Sequence, residues 1–97
     1  MKPVRIAAPA ARELRQARAW YEAQVPGLGA RLIAAIDNAI AEICENPWRF
    51  ALVHRDVRRA FARAFPFGVC YRELDSAVRV IAVVHLHRDP ATWQRRH

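Results

Sequence analysis

Serine occurs once in this 97-residue chain, at Ser76, inside a predicted turn and without a surrounding G-x-S-x-G pattern. That excludes a serine-hydrolase elbow and leaves a turn former. Glycine occurs three times, at Gly27, Gly29 and Gly68, never in a run that could cradle phosphate, so no nucleotide-binding fingerprint is present and no cofactor is expected. The two cysteines, Cys44 and Cys70, lie far apart and in different predicted elements. They read as reduced thiols in a cytoplasmic protein, not as a disulfide framework. The longest apolar run, VIAVV, falls far short of the roughly 20 residues that span a bilayer, so no membrane partner is expected. The N-terminus MKPVRIAAPAAREL lacks the apolar stretch of a signal peptide. Lysine occurs once, at Lys2.

Arginine takes lysine's place. Fifteen of the sixteen basic residues are arginine, and the net charge is +7. The excess is uneven: residues 1–50 carry +2, whereas residues 51–97 carry +5 together with all four histidines. Arginine binds phosphate and carboxylate bidentately better than lysine does, so the basic half points to nucleic acid, a ribosomal surface or an acidic protein. With 54% hydrophobic and 26% charged residues, the composition is that of a soluble globular protein. The length suits one domain over residues 1–97.

Periodicity supplies the elements. Val4 and Ile6 flank Arg5 in a short strand candidate. Pro9 then opens a helix whose apolar face is Ala10, Leu14, Ala17 and Tyr21, widened by Trp20 and ended near Gln24 by Pro26, Gly27 and Gly29. A second helix presents Leu28, Leu32, Ile36, Ala39, Ile40 and Ile43, with Ile33 beside them, and stops at Asn46-Pro47. Three strand-like runs follow, over Val57–Phe65, Pro66–Leu74 and Ala77–Leu86, with Glu73–Ser76 as the last hairpin loop. In the final run Val78, Val80, Ala82, Val84 and Leu86 form one face expected to meet the helices. Arg79, Ile81, Val83, His85 and His87 take the other. In the first run Val57 and Phe61 belong inward, although Arg59 and Arg63 share their parity. The fold expected is α+β, in the order β-α-α-β-β-β: a helical hairpin on one face of a small, mainly antiparallel sheet.

His85 and His87, one residue apart, invite a metal reading, but a zinc site needs three or four ligands and only Asp89 and His54 could be added. No metal is expected. A second reading places Arg58, Arg59, Arg72 and Arg79 with His85 or His87 on the helix-free face, as a concave basic patch. Metal-free RNA cleavage needs a proton acceptor, a proton donor and cations on the phosphate, which such a patch could supply. Tyr71 and Trp93 are candidate stacking platforms that more often serve as packing, and Trp93 is expected to fold back onto the sheet.

Taken together, WYE (Trp20–Glu22), PGLG (Pro26–Gly29), ENP (Glu45–Pro47), VRR (Val57–Arg59), FPFGVCY (Phe65–Tyr71) and VVHLHRDPATWQRR (Val83–Arg96) resemble the RelE/ParE toxin superfamily, also called plasmid stabilisation proteins. The resemblance runs over residues 4–96. It implies the same helical hairpin on a sheet, and a growth-inhibiting toxin of a bacterial type II toxin–antitoxin module. It also implies a cognate antitoxin whose C-terminal segment wraps the toxin along the groove between helices and sheet. RelE-like members are ribosome-dependent mRNA endonucleases; ParE-like members bind DNA gyrase. The lysines typical of the RelE site are absent, and no tyrosine follows the last strand. A related subgroup uses a glutamate, an arginine and a C-terminal histidine; Arg59 or Arg72 and His85 match the last two, and no glutamate matches the first. The ending resembles that of ParE-like members, with His87 where an arginine stands. The expectation is a gyrase-binding toxin that is not an enzyme, with Arg58, Arg59, Arg72, Arg79, His85, His87, Arg88 and Trp93 as target- or antitoxin-binding residues. The alternatives are a metal-independent mRNA interferase using Arg59, Arg72, Arg79 and His85, or a degenerate toxin that only binds antitoxin.

Overall fold

The computed structural model describes residues 2–87 and 90–96. Its elements are β1 (Val4–Ile6), α1 (Ala8–Gln24), α2 (Leu28–Glu45), β2 (Leu52–His54), β3 (Val57–Phe61), β4 (Phe67–Glu73), β5 (Val78–His85) and a final 3-10 turn, Pro90–Thr92. The five strands form one mixed sheet in the order β1-β5-β4-β3-β2. All neighbours are antiparallel except β1 and β5, which run parallel. The α+β class and the helical hairpin follow the sequence reading, and β2 is an added three-residue edge strand. No described helix is long and apolar enough to cross a membrane.

Local chemistry sets the helix boundaries. Pro9 falls in the first turn of α1, where its missing N–H costs nothing. Val25 leaves the helix in an extended conformation because Pro26 follows it. Gly27 then adopts φ +89°, a left-handed conformation that suits glycine, and opens α2. Glu22, still on α1, supplies the cap: its carboxylate accepts the N–H groups of Gly27 at 2.9 Å and Gly29 at 3.0 Å. Negative charge at a helix start is favourable, and these two hydrogen bonds hold the Glu22 carboxyl below its usual range. At Gly29 a Cβ would stand 2.8 Å from the Arg18 carbonyl oxygen, so glycine there lets the helices cross closely.

Leu32, Ile36, Ala39 and Ile43 of α2 pack with Ala10 of α1 onto Val69, Tyr71, Val78, Val80 and Val83 of the sheet. The Tyr71 hydroxyl donates to the Pro47 carbonyl at 2.6 Å, which fastens the end of α2 to the sheet centre. A second, smaller core lies on the helix-free face, where Trp93 folds back over Val57, Cys70, Ile81, Ala82 and Val84.

That second core corrects the expected strand faces. Tyr71 stands opposite Val80, but Cys70 stands opposite Ala82, so Ile81 is an extra residue in β5. A bulge of this kind reverses the alternation beyond it. Val78, Val80 and Val83 therefore face the helices, while Ala82 and Val84 turn away. The anticipated single face from Val78 to Leu86 is split in two. In β3, Ala60 points to the helices, whereas Val57 joins the far-face core and Phe61 is 57% exposed. Val57 and Phe61 do not belong under the helices as expected.

Candidate functional site

Two concave surfaces lie on opposite sides of the sheet. The first is a groove of about 400 Å³ between α1 and β5, lined by Glu13, Gln16, Ala17, Trp20, Tyr21, Phe67, Val83 and His85. Trp20 is 59% exposed at its rim. The Tyr21 ring meets Phe65 and Phe67 edge-on, with centroids 5.2 and 6.1 Å apart. His85 closes the far end, its ring 5.4 Å from that of its cross-strand partner Phe67. The bulge places His85 here, on the helix side, and not beside Arg79 as expected. His87 lies beyond the strand, exposed, and donates its backbone N–H to His85 Nδ1 at 3.2 Å.

Beneath this groove an ion pair closes the edge of β5. β1 pairs only as far as Val80, so the following residues of β5 lack a strand neighbour on that side. Glu13 of α1 fills the gap: its Oε1 accepts the Val83 N–H at 3.0 Å. Arg96 binds the same carboxylate through two contacts, 2.8 and 3.1 Å, and donates to the Ile81 carbonyl at 3.1 Å. The C-terminal tail is thus clasped to both α1 and the bulge. Sequence reasoning missed Glu13 and Arg96. They are 83 positions apart, and neither breaks a pattern that would draw attention to it. Among the described residues, Glu13 is the one acidic residue of the groove lining, and its oxygens are engaged by Arg96 and Val83.

The helix-free face carries the arginines. Arg72 and Arg79 are direct cross-strand partners, and Arg79 is in register with Arg5 of β1. Beyond Arg72 lies a cavity of about 770 Å³, lined by His54, Arg55, Asp56, Val57, Arg72, Gln94, Arg95 and Arg96. Asp56 binds Arg72 through contacts of 2.9 and 3.0 Å, which hold its carboxyl below the usual range. His54 meets Trp93 edge-on, with centroids 6.1 Å apart. Arg59 shares this face, but its stem lies across Gly68 and its guanidinium stacks 5.0 Å from the Phe61 ring.

Arg58 is not part of this patch. It points to the helix side and donates to the carbonyls of Phe50 at 2.7 Å and Trp48 at 3.3 Å, bracing the loop after α2. Tyr71 and Trp93 are both buried, so they pack and do not stack on a ligand. Burial pushes the Tyr71 hydroxyl and the Cys70 thiol each up to about 12. Arg88 lies outside the described residues. Of the set expected to converge on one face, Arg59, Arg72 and Arg79 do so, while Arg58 and His85 lie on the other.

Residues 4–90 match the family model of the ParE toxin of type II toxin–antitoxin systems, parDE. The chain belongs to the ParE toxin family. Among solved structures it is similar to a chain of the chromosomal ParDE toxin–antitoxin system from P. aeruginosa, at 14% identity and a TM-score of 0.79. That match covers 90% of this chain and 98% of the other, and at such low identity it speaks for the fold. No curated protein matches the sequence.

Proposed function

We propose that this ParE-family toxin acts in the cytoplasm by binding DNA gyrase, without cleaving RNA, and that a cognate antitoxin neutralises it. One observation carries the choice of target: the bulge at Ile81 turns His85 to the helix side, away from Arg59, Arg72 and Arg79. RNA cleavage by these residues needs the proton-transfer group and the phosphate-binding cations around one bond, and a sheet separates them. Surface recognition has no such requirement.

The groove between α1 and β5 is the surface we assign to the antitoxin. It combines an exposed tryptophan, the half-buried Tyr21 and buried Phe67 as aromatic walls, and a polar rim, the composition of a protein-binding hot spot. An acidic, partly disordered segment would also be drawn to a chain of net charge +7.

The test is induction of the toxin alone, scored in parallel for gyrase supercoiling and for translation. Loss of supercoiling or trapped, cleaved DNA is expected, with messenger RNA intact. Cleaved ribosome-bound messages together with unaffected gyrase at excess toxin would overturn the reading. Harmless expression with retained antitoxin binding would instead identify a degenerate toxin. Ala17→Glu with Trp20→Ala should abolish capture of the antitoxin while leaving toxicity in place.

A further inference from the structure

The cavity on the helix-free face is separate from the groove assigned to the antitoxin, and its chemistry is distinctive. We propose that it is a phosphate-binding site, continued across the sheet by a row of arginines, that takes the phosphodiester backbone of a nucleic acid. The cavity lining holds four arginines, Arg55, Arg72, Arg95 and Arg96, against one carboxylate, Asp56. Arg96 is already engaged by Glu13 and Arg72 by Asp56, which fixes those two guanidinium groups in place. Arg55 and Arg95 are exposed at the opening.

The row Arg72, Arg79, Arg5 extends from the cavity over three adjacent strands. Neighbouring strands lie about 4.8 Å apart, so the row presents positive charge along roughly 10 Å. The planar, five-donor fork of arginine matches phosphate oxygens bidentately. Val57 is the apolar residue of the lining, and His54, also in the lining, rests against the buried Trp93. This inference involves no chemical step and is independent of the gyrase reading, since it is measured on the isolated protein.

The experiment is fluorescence-anisotropy titration of the full chain with a short duplex DNA and a single strand, over a series of salt concentrations. The site variant is Arg72→Gln with Arg79→Gln. The charge-matched control is Arg12→Gln with Arg15→Gln, two exposed arginines on α1. The site variant should lose at least about tenfold in affinity, and its salt slope should fall by about 2, one per phosphate contact removed. The control should lose less than about threefold. Equal losses in both would mean diffuse attraction to a basic protein and would overturn the proposal. Arg55→Gln, in the β2–β3 turn outside the sheet ladder, repeats the test without disturbing strand pairing. It should weaken binding several-fold; unchanged affinity in both Arg55→Gln and the double variant would refute the site.

Two further arms identify the source of the phosphate. Inorganic phosphate, pyrophosphate and ATP are assayed by thermal shift, and polyglutamate competes against the labelled DNA. Displacement by polyglutamate at the same charge concentration as DNA would overturn the phosphodiester assignment in favour of an acidic protein. Stabilisation by ATP with no DNA binding would overturn it in favour of a free nucleotide.

Discussion

Replacing Glu13 with alanine should be the most damaging single change outside the apolar core. The carboxylate accepts three hydrogen bonds, one from the Val83 N–H and two from Arg96. Hydrogen bonds to charged groups contribute about 1.5–3 kcal/mol each when sheltered. Here the Glu13 and Arg96 side chains are 14% and 23% exposed, so water replaces part of the loss. A net destabilisation of roughly 2–4 kcal/mol follows, between a surface pair and a fully buried one. For a domain near 100 residues this lowers Tm on the order of 10–20 °C. Urea unfolding of Glu13→Ala, Arg96→Ala and the double variant gives the coupling, expected at about 1–3 kcal/mol. Fluorescence gives the mechanism. Trp93 is 4% exposed, against 59% for Trp20 and 67% for Trp48, so it alone of the three tryptophans is shielded. Acrylamide should quench it in Glu13→Ala well below the unfolding midpoint, because the tail has lost its clasp. A loss of stability under about 1 kcal/mol, or unchanged quenching, would refute the clasp.

Gly68→Ala places a Cβ 2.7 Å from Arg59 Cδ and 2.9 Å from its Cγ. It should cost about 1–3 kcal/mol by overpacking, and Arg59→Ala should rescue part of that loss. Glu22→Gln tests the cap through pH. The folded-state pKa lies below the ordinary 4.5, so its stabilisation is present above that value and is lost as pH falls through the folded pKa. The stability gap between Glu22→Gln and the parent should therefore be steady near neutrality and shrink below pH 4.5; a gap that persists undiminished into strong acid would contradict it. Both cysteines are buried and free, with Cys70 raised to about 12, so neither should react with a thiol reagent at pH 8 until the chain is unfolded. Rapid labelling of Cys70 in the folded protein would contradict the second core.

The helices were legible because each buries one stripe. Leu32, Ile36, Ala39 and Ile43 repeat at helical spacing, and Asn46-Pro47 marks the stop. β5 is different. It is buried on both faces, by the helices on one side and by Trp93 on the other, so its run has no polar alternation to fix the register. An inserted Ile81 between two apolar neighbours leaves no mark in such a run, and the placement of His85 changed with it. β2 is three residues long and too short for periodicity to reveal. The arginine row was half visible: Arg72 and Arg79 were placed together, while Arg5 joined them only through the parallel pairing of β1.

The motifs that mark the family resolve, one by one, into architecture. In the first, Glu22 caps α2; in the second, Gly27 and Gly29 set the turn and the helix crossing. The carbonyl of Pro47 receives Tyr71, and Arg58 braces the neighbouring loop. Gly68 makes room for Arg59, while Trp93 and Arg96 fasten the tail. Residues committed to these contacts build the scaffold and carry little information about the target. The side chains that the scaffold leaves outward include the groove rim at Trp20 and His85 and the arginines around Asp56. These two surfaces face opposite ways across one sheet. An antitoxin seated in the groove would leave the basic cavity open. If gyrase is bound on the far face, neutralisation requires the antitoxin either to wrap around the sheet edge or to act through the Glu13–Arg96 clasp. The clasp joins the two sides physically, since Glu13 lines the groove and Arg96 lines the cavity. A variant that breaks it should weaken antitoxin neutralisation more than it weakens antitoxin binding, and equal losses in the two would favour simple wrapping.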